Sequence, residues 1–541
     1  MPKTEKVSYR ELPQFSPLIK AYLEQAAELR SLYHRFPSIE QFGPQIDEKR
    51  VNYQPEFRAV LREVLEDQYS RCAISLDASP VMENLRQLGN EETFTVTTGH
   101  QLNLFTGPLY FVYKILSVVN LCEKLALQYP RQRFVPVFWL ASEDHDLEEV
   151  NHINFRGGRL RWPTRQQGAV GRMSTAGIEA VIGELSGYLG KGLMARQWCE
   201  LLEQAYLKHQ NMAQATRYLA HSLFGDYGLV VIDGDDPRLK ELAIPLFEKE
   251  LKEHAVERGM KESSPVLDPY HRQVNPREIN LFYLQDDSRE RIVKGTEAYE
   301  VLNTDLRFKQ AKFFAILREH PERFSPNAVL RPVYQEFILP NLAYVGGGGE
   351  IAYWLQLRKS LERFSVSFPI LLLRNSALLV PVKYQNRLSD LQIRAADLLR
   401  GVEQTKENLV REMAPVDPEL GDYERRLQKM FDELEDLSKL TEKSMLGAVN
   451  AQRQKQLNGL NKLRKKLLRA EKRRHQTLMD KIDRIHQGLF PAGQLQERHD
   501  NLGEHFARQG EALIPSLKDA LDPLDFRFTI FYEDWPLGEN T

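Results

Sequence analysis

Between residues 90 and 380, short β-rich runs recur at helix-length intervals: "TFTVTT", "FVPVFWLAS", "GLVVIDGDD", "AVLRPVYQEFILP" and "SFPILLL". Several are apolar on both faces. A strand can afford that only where helices cover both sides of its sheet, as in a parallel, doubly wound α/β fold. The alternation therefore predicts a Rossmann-like core over residues 91–380, with ligands bound beyond the carboxyl ends of its strands. Two intervals, 155–225 and 240–325, read as helical or irregular insertions. Residues 1–90 read as a mainly helical segment on the core, clearest in "SPLIKAYLEQAAELRSLYHRF".

Near residue 382 the pattern changes. Leu388, Leu391, Ala395, Leu398 and Val402 follow a 3-4-3-4 spacing; Tyr423, Leu427, Met430, Leu434 and Leu437 repeat it, as do Leu460, Leu463 and Leu467. Heptads of this kind predict an α-helical coiled coil over 381–522, punctuated by Pro415, Pro418 and Pro491. They permit an intrachain hairpin as readily as a dimer seam. The run "DFRFTIFYEDWP" then reads as a strand that returns residues 523–541 to the core.

Lys and Arg number 73 against 75 Asp and Glu, a balance that argues against a wholly electrostatic nucleic-acid binder. The stretch "RQKQLNGLNKLRKKLLRAEKRRH" is locally basic, but no aromatics interleave for base stacking. It reads better as a solvated helix face lying against the acidic residues 431–437 than as an RNA-binding stripe. Cys72, Cys122 and Cys199 have neither disulfide nor metal-site spacing, which fits a reducing cytoplasm. The N-terminus has no apolar signal segment and "FPILLLRNSALLV" is broken by Arg374 and Asn375, so no membrane span is expected.

Three stretches carry chemistry. In "VTTGHQLNLFTGPLYFVYK" a strand meets a glycine corner and then a helix, with Pro108 suited to the first helical turn. Thr98, Gly99, His100, Gln101, Asn103, Thr106 and Gly107 line that corner. Free N–H groups at the helix start would make it an anion site, although it is neither a P-loop nor a dinucleotide fingerprint. In "FVPVFWLASEDHDLEEVNH" a strand runs straight into Glu143, Asp144, His145 and Asp146. Crowded carboxylates need relief, so the uses open to them are a substrate ammonium, Mg²⁺, or a general base such as His145. A helix starting there would put His145, Glu149 and His152 on one face as a conceivable metal triad; a capped, solvated helix start is the plainer alternative. In "YVGGGGEIAYW", Gly346, Gly347, Gly348 and Gly349 free the backbone for close approach, and Glu350 could meet a ribose or an amine.

Together these motifs resemble the bacillithiol synthase family, the cysteine-adding ligases of bacillithiol biosynthesis, and the similarity runs over nearly the whole chain. What the resemblance implies is a Rossmann-like core related to nucleotidyl transferases, two connecting-peptide insertions and a dimerising coiled coil. The implied reaction joins L-cysteine to the amino group of glucosaminyl malate. Residues 98–101 and 103–107 would form the core pocket with Lys114; Glu143 to Asp146 would face it and Gly346 to Glu350 would close it. Glutamine often stands where this chain has His100, which points to ligand binding there and not to an indispensable proton carrier.

Amide formation from a carboxylate and an ammonium is uphill in water, so ATP with Mg²⁺ is the expected activator, although no KMSKS signature is present. In that scheme the corner and Lys114 would hold a phosphate or a malate carboxylate, His145 with Asp144 or Asp146 would deprotonate the amine, and Glu143 would bind the cysteine ammonium. A nucleotidyl transferase acting on another small molecule, or an RNA-associated coiled-coil protein, are the other classes open.

Overall fold

The computed structural model describes residues 3–155, 158–413, 420–440 and 443–533. It divides into two units, Met1–Leu379 with Gln494–Thr541, and Val380–Gly493.

The heart of the first unit is a five-stranded sheet, parallel throughout. Across the sheet the strands run Ile370–Leu373, Asn341–Gly346, Thr93–His100, Arg133–Leu140 and Val230–Asp233. Numbered by chain order this is the 3-2-1-4-5 arrangement of doubly wound folds. Its switch point lies between Thr93–His100 and Asn341–Gly346, where connections leave in opposite directions and open a crevice at the carboxyl ends. The sheet is buried because its sequence is apolar on both faces. Phe94, Val96, Val345, Ile370 and Leu372 pack with Val118, Leu121 and Leu125 of the helix Tyr110–Gln128 in one cluster. Cys122 belongs to that cluster, and all three cysteines are buried.

Several expectations need correction. "AVLRPVYQEFILP" is not a core strand: Arg331–Ile338 is a helix, and the strand is the following "NLAYVG". The buried face of that helix, Val333, Tyr334 and Ile338, has the mixed period that a short apolar run cannot resolve. The interval 240–325 is neither helical nor irregular alone. It contains a five-stranded sheet built from Leu281–Gln285, Ser288–Lys294, Ala298–Val301, Arg307–Lys309 and Phe324–Pro326, each paired antiparallel to its neighbour. The N-terminal segment supplies a strand, Lys3–Ser8, antiparallel to Arg527–Tyr532. That late strand does return to the first unit, but in a separate three-stranded sheet with Ala377–Val380. The return itself begins at Gln494, not at residue 523, because residues 496–505 are tied into the first unit by buried side-chain bonds.

The second unit is helical. A hairpin of Gly421–Lys439 and Lys443–Arg474 is braced by Arg453, which binds Asp432 at 2.9 Å and Glu435 at 3.0 Å. The basic stretch thus does lie against the acidic helix. Lys472 pairs with Glu403 and Glu407, and Lys406 with Asp483. Phe431 and Ser438 are the buried residues of the acidic helix, whereas Tyr423, Met430, Leu434 and Leu437 of the heptad stripe are turned to solvent. Pro415 and Pro418 lie outside the described residues. No helix among the described residues is long and apolar enough to cross a membrane.

Candidate active site

A cavity of about 880 Å³ opens beyond the carboxyl ends of the parallel strands, at the switch point. It gathers all three motifs, but not all of their residues. Gly99, His100, Gln101 and Lys114 line it, as do Glu143, Asp144 and His145, and Gly347, Gly348, Gly349 and Glu350. Thr98, Asn103, Thr106, Gly107, Asp146 and Gly346 do not. The Thr98 hydroxyl is spent on Val345 O at 2.7 Å, which ties the two switch-point strands together. Asp146 caps the four-residue helix Leu147–Val150 through Glu149 N. That helix ends before His152, the first residue of a strand, so the His145–Glu149–His152 triad does not form. Among the described residues no three metal-ligating side chains converge.

The corner is not an anion cradle. Its helix begins at Tyr110, past Pro108, and the N–H groups of Phe111 and Val112 are used by the carbonyls of Pro108 and Leu109. Pro108 instead forms a β-bridge with Asn501. The corner is held in a costly shape: Phe105, Thr106 and Gly107 take φ of 50°, 72° and 64° in succession. Two anchors enforce it. Asn501 Nδ2 donates to Phe105 O and Gly107 O, both at 2.8 Å, and Phe105 N donates to the Tyr206 hydroxyl. A Cβ on Gly107 would meet Asn103 Cβ at 2.5 Å, so glycine is required there for space as well as for φ.

Lys114 and Glu350 neutralise each other. Lys114 Nζ is 2.5 Å from Glu350 Oε2 and donates to Gly99 O at 2.6 Å. Glu350 also accepts from the Tyr344 hydroxyl and Gly347 N. The pair clamps the switch-point loops, leaving neither charge free for a phosphate or an amine. His100 beside it is held neutral, its pKa lowered to about 3 by burial and then by the Lys114 charge. Its Nε2 is buried without a partner.

The acidic turn is likewise divided into scaffold and free groups. Glu143 binds the fully buried Lys240 at 2.6 Å, and Lys240 also binds Asp235, which Arg172 holds from the other side. Ser142 donates to Asp233, and Gly171 N and Val170 N close on the carbonyls of Ser142 and Asp144. Burial raises the Glu143 pKa, with Lys240 opposing. Asp144 and Glu149 differ: Gln101 Nε2 clasps Asp144 Oδ2 and Glu149 Oε2, each at 2.7 Å. Among the described residues no cation is within ion-pair distance of Glu149, and Asp144 has only the Nδ1 of His145 at 3.9 Å.

His145 is not free to be the base expected of it. Arg289 Nη1 lies 3.0 Å from its Nδ1; a guanidinium only donates, so Nδ1 accepts and the proton sits on Nε2. Burial, then the Arg289 charge, lowers the His145 pKa and keeps the ring neutral. Arg289 comes from the antiparallel sheet of the second insertion, which the sequence did not reveal. Its other bonds are to Ser325 Oγ and Pro326 O, and it stacks over Phe282 at 4.1 Å. Arg331 donates to Gln335 and the Tyr353 hydroxyl. Arg374, visible in the sequence only as a break in an apolar run, forms a buried two-pronged pair with Glu497.

A doubly wound core with its cavity at the switch point, carrying a helical-hairpin unit, defines an α/β protein of Rossmann type with an appended coiled coil. Two family models match this chain: the N-terminal Rossmann-like domain of bacillithiol biosynthesis BshC over residues 3–375 and its C-terminal coiled-coil domain over 377–533. Relatives named "Putative cysteine ligase BshC" are 43% identical in Flavobacterium johnsoniae, over 97% of this chain and 99% of that protein, and 44% in Flavobacterium psychrophilum over the same shares. One from Christiangramia forsetii is 43% identical over 97% and 98%. The chain belongs to the bacillithiol biosynthesis BshC family.

Proposed function

We propose that the chain is an amide-forming ligase that joins the carboxyl of L-cysteine to the amino group of glucosaminyl malate, giving bacillithiol, with the carboxyl activated by ATP. The observation that carries this reading is the charge left in the main cavity once internal pairs cancel. Lys114 cancels Glu350, Glu497 cancels Arg374, and Lys240 cancels Glu143. Arg277, Arg289, Arg331 and Arg498 remain, against Asp144 and Glu149. Such a cavity suits ligands that are anionic overall yet carry an amine, which describes an amino acid, an amino-sugar dicarboxylate and a polyphosphate together.

Among the described residues the hydrogen bonds of Arg289 and Arg331 go to neutral partners, so both guanidiniums fit a phosphate group, which would supply the direct charged partner each lacks. ATP bound there would supply the leaving group on the cysteine carboxyl; Mg²⁺ would arrive with the phosphates, for which one or two carboxylates suffice. Glu149 accepts the proton of the attacking amine through Oε1, while Gln101 fixes its Oε2 and holds Asp144 alongside. His145 donates from Nε2 to the carbonyl oxygen as negative charge builds on it. A carbon–nitrogen bond forms, the bond to the leaving phosphate breaks, and the amine proton ends on Glu149.

The outward heptad stripe of the hairpin supports a homodimer: Leu437 is 60% and Tyr423 60% exposed, an apolar surface of the kind that a second copy covers.

The test is a product assay by mass spectrometry with purified protein, glucosaminyl malate and L-cysteine, with and without ATP and Mg²⁺. Bacillithiol only in the ATP lanes supports the reading. Nucleotide turnover without cysteine would favour a nucleotidyl transferase instead, and bacillithiol without ATP would remove the activation step.

A further inference from the structure

Beside the main cavity lies a second one of about 320 Å³, whose walls come from three distant stretches of the first unit. The strained corner gives Asn103 and Gly107, the strand His152–Phe155 gives His152 and Asn154, and the C-terminal return gives Arg498 and His499. Four residues line both cavities: Gln101, Tyr110, Glu149 and Arg498. The side cavity therefore opens onto the two free carboxylates of the main one, through the glutamine that clasps them.

Its chemistry is selective. Among the described residues Arg498 is the one Lys or Arg in its wall, and no carboxylate lies within ion-pair distance of it. The residues before it are clamped: Gln496 Oε1 accepts from Leu379 N, and Glu497 grips Arg374 and Ala377 N. The guanidinium is thus presented from a fixed turn. Asn103 Oδ1 is buried without a hydrogen-bond partner, an acceptor waiting for a ligand donor. Burial keeps His152 neutral, its pKa lowered. A polyphosphate fits poorly, because one cation faces the Glu149 carboxylate in the same wall. Amide side chains, the neutral His152 imidazole, the Tyr110 ring and one guanidinium suit a polyhydroxylated ring bearing an anionic group.

We infer that this side cavity is the acceptor subsite, holding an amino sugar by its hydroxyls, with its carboxylate on Arg498 and its amine directed past Gln101 to Glu149. This deepens the ligase reading and rests on it for the identity of the sugar, glucosaminyl malate. It leaves cysteine and the nucleotide to the rest of the main cavity, which shares Arg498 and Glu149 with the subsite, and the strained corner that Asn501 holds places Asn103 in the subsite wall.

The experiment uses the full chain with Arg498→Gln and Asn154→Ala, both away from the folding core. In the product assay, the KM for glucosaminyl malate should rise about 10-fold to 100-fold in Arg498→Gln and less in Asn154→Ala, with the KM values for cysteine and ATP within about twofold of wild type. Unchanged acceptor KM in both variants, with wild type making bacillithiol, would overturn the subsite and leave the ligase reading standing. Calorimetric titration of glucosaminyl malate alone separates the two ideas from the other side. Binding to wild type that is lost in Arg498→Gln sustains the subsite even if no bacillithiol forms; equal binding to both proteins, or none to wild type, refutes it.

Discussion

The carboxyl edge of the parallel sheet and the helical hairpin handle charge and apolar surface in opposite ways. At the sheet edge charges are buried and paired two or three deep, as in Glu143–Lys240–Asp235–Arg172, while apolar groups are sealed in the core. On the hairpin the charges pair in the open, as at Arg453–Glu435, and apolar residues such as Leu437 stand exposed. Buried pairs are expensive to assemble and rigid once made, which suits a site that must hold a few free carboxylates and guanidiniums in position. Exposed pairs contribute little and tolerate change, which suits a solvent-facing helix surface.

That contrast can be broken at several points. Lys240→Met strands the buried Glu143 and leaves Asp235 to Arg172 alone, and should cost about 3–5 kcal/mol of stability, read as a fall in the urea midpoint. Glu149→Gln keeps the shape of the Gln101 clasp and should leave the urea midpoint within error while lowering kcat about 10²–10⁴-fold in the product assay. An equal loss of stability would instead place Glu149 with the scaffold.

His100→Gln sharpens the comparison by pH. With a native pKa of about 3, below an unfolded value of about 6.5, wild-type His100 binds its proton only in the unfolded chain as the pH falls. Stability linked to this group is complete above about pH 6.5 and is lost between there and pH 3. Glutamine removes that loss, so the variant should gain about 1–2 kcal/mol on wild type at pH 5 and nothing at pH 8. The smallest effect belongs to the hairpin: Arg453→Ala should change the stability by less than about 1 kcal/mol. Leu434→Glu with Leu437→Glu should leave helicity intact and, if the stripe joins two copies, halve the mass seen in sedimentation.

The three motif stretches were legible because each interrupts a strong local pattern at a strand end, and backbone topology alone brings strand ends together. Helix and strand cannot be told apart from sequence at Arg331–Ile338, where eight apolar-rich residues satisfy either period. The antiparallel sheet of residues 281–326 is not legible in the sequence because its strands are short, half-buried and charged, as in "SRERIVK". With it went Arg289, the residue that decides the tautomer of His145.

Local sequence thus determined the parallel core, the coiled-coil character of the later helices and the positions along the chain where polar groups gather. Those properties follow from periodicity and from the few residues able to end a strand. Which of the gathered charges are spent and which are free was decided only by tertiary structure. Lys114 and Glu350 stand 236 positions apart, Glu143 and Lys240 97 apart, and Arg374 and Glu497 123 apart. Pairing across such distances depends on how the elements pack in three dimensions, and no short-range pattern in the chain records it.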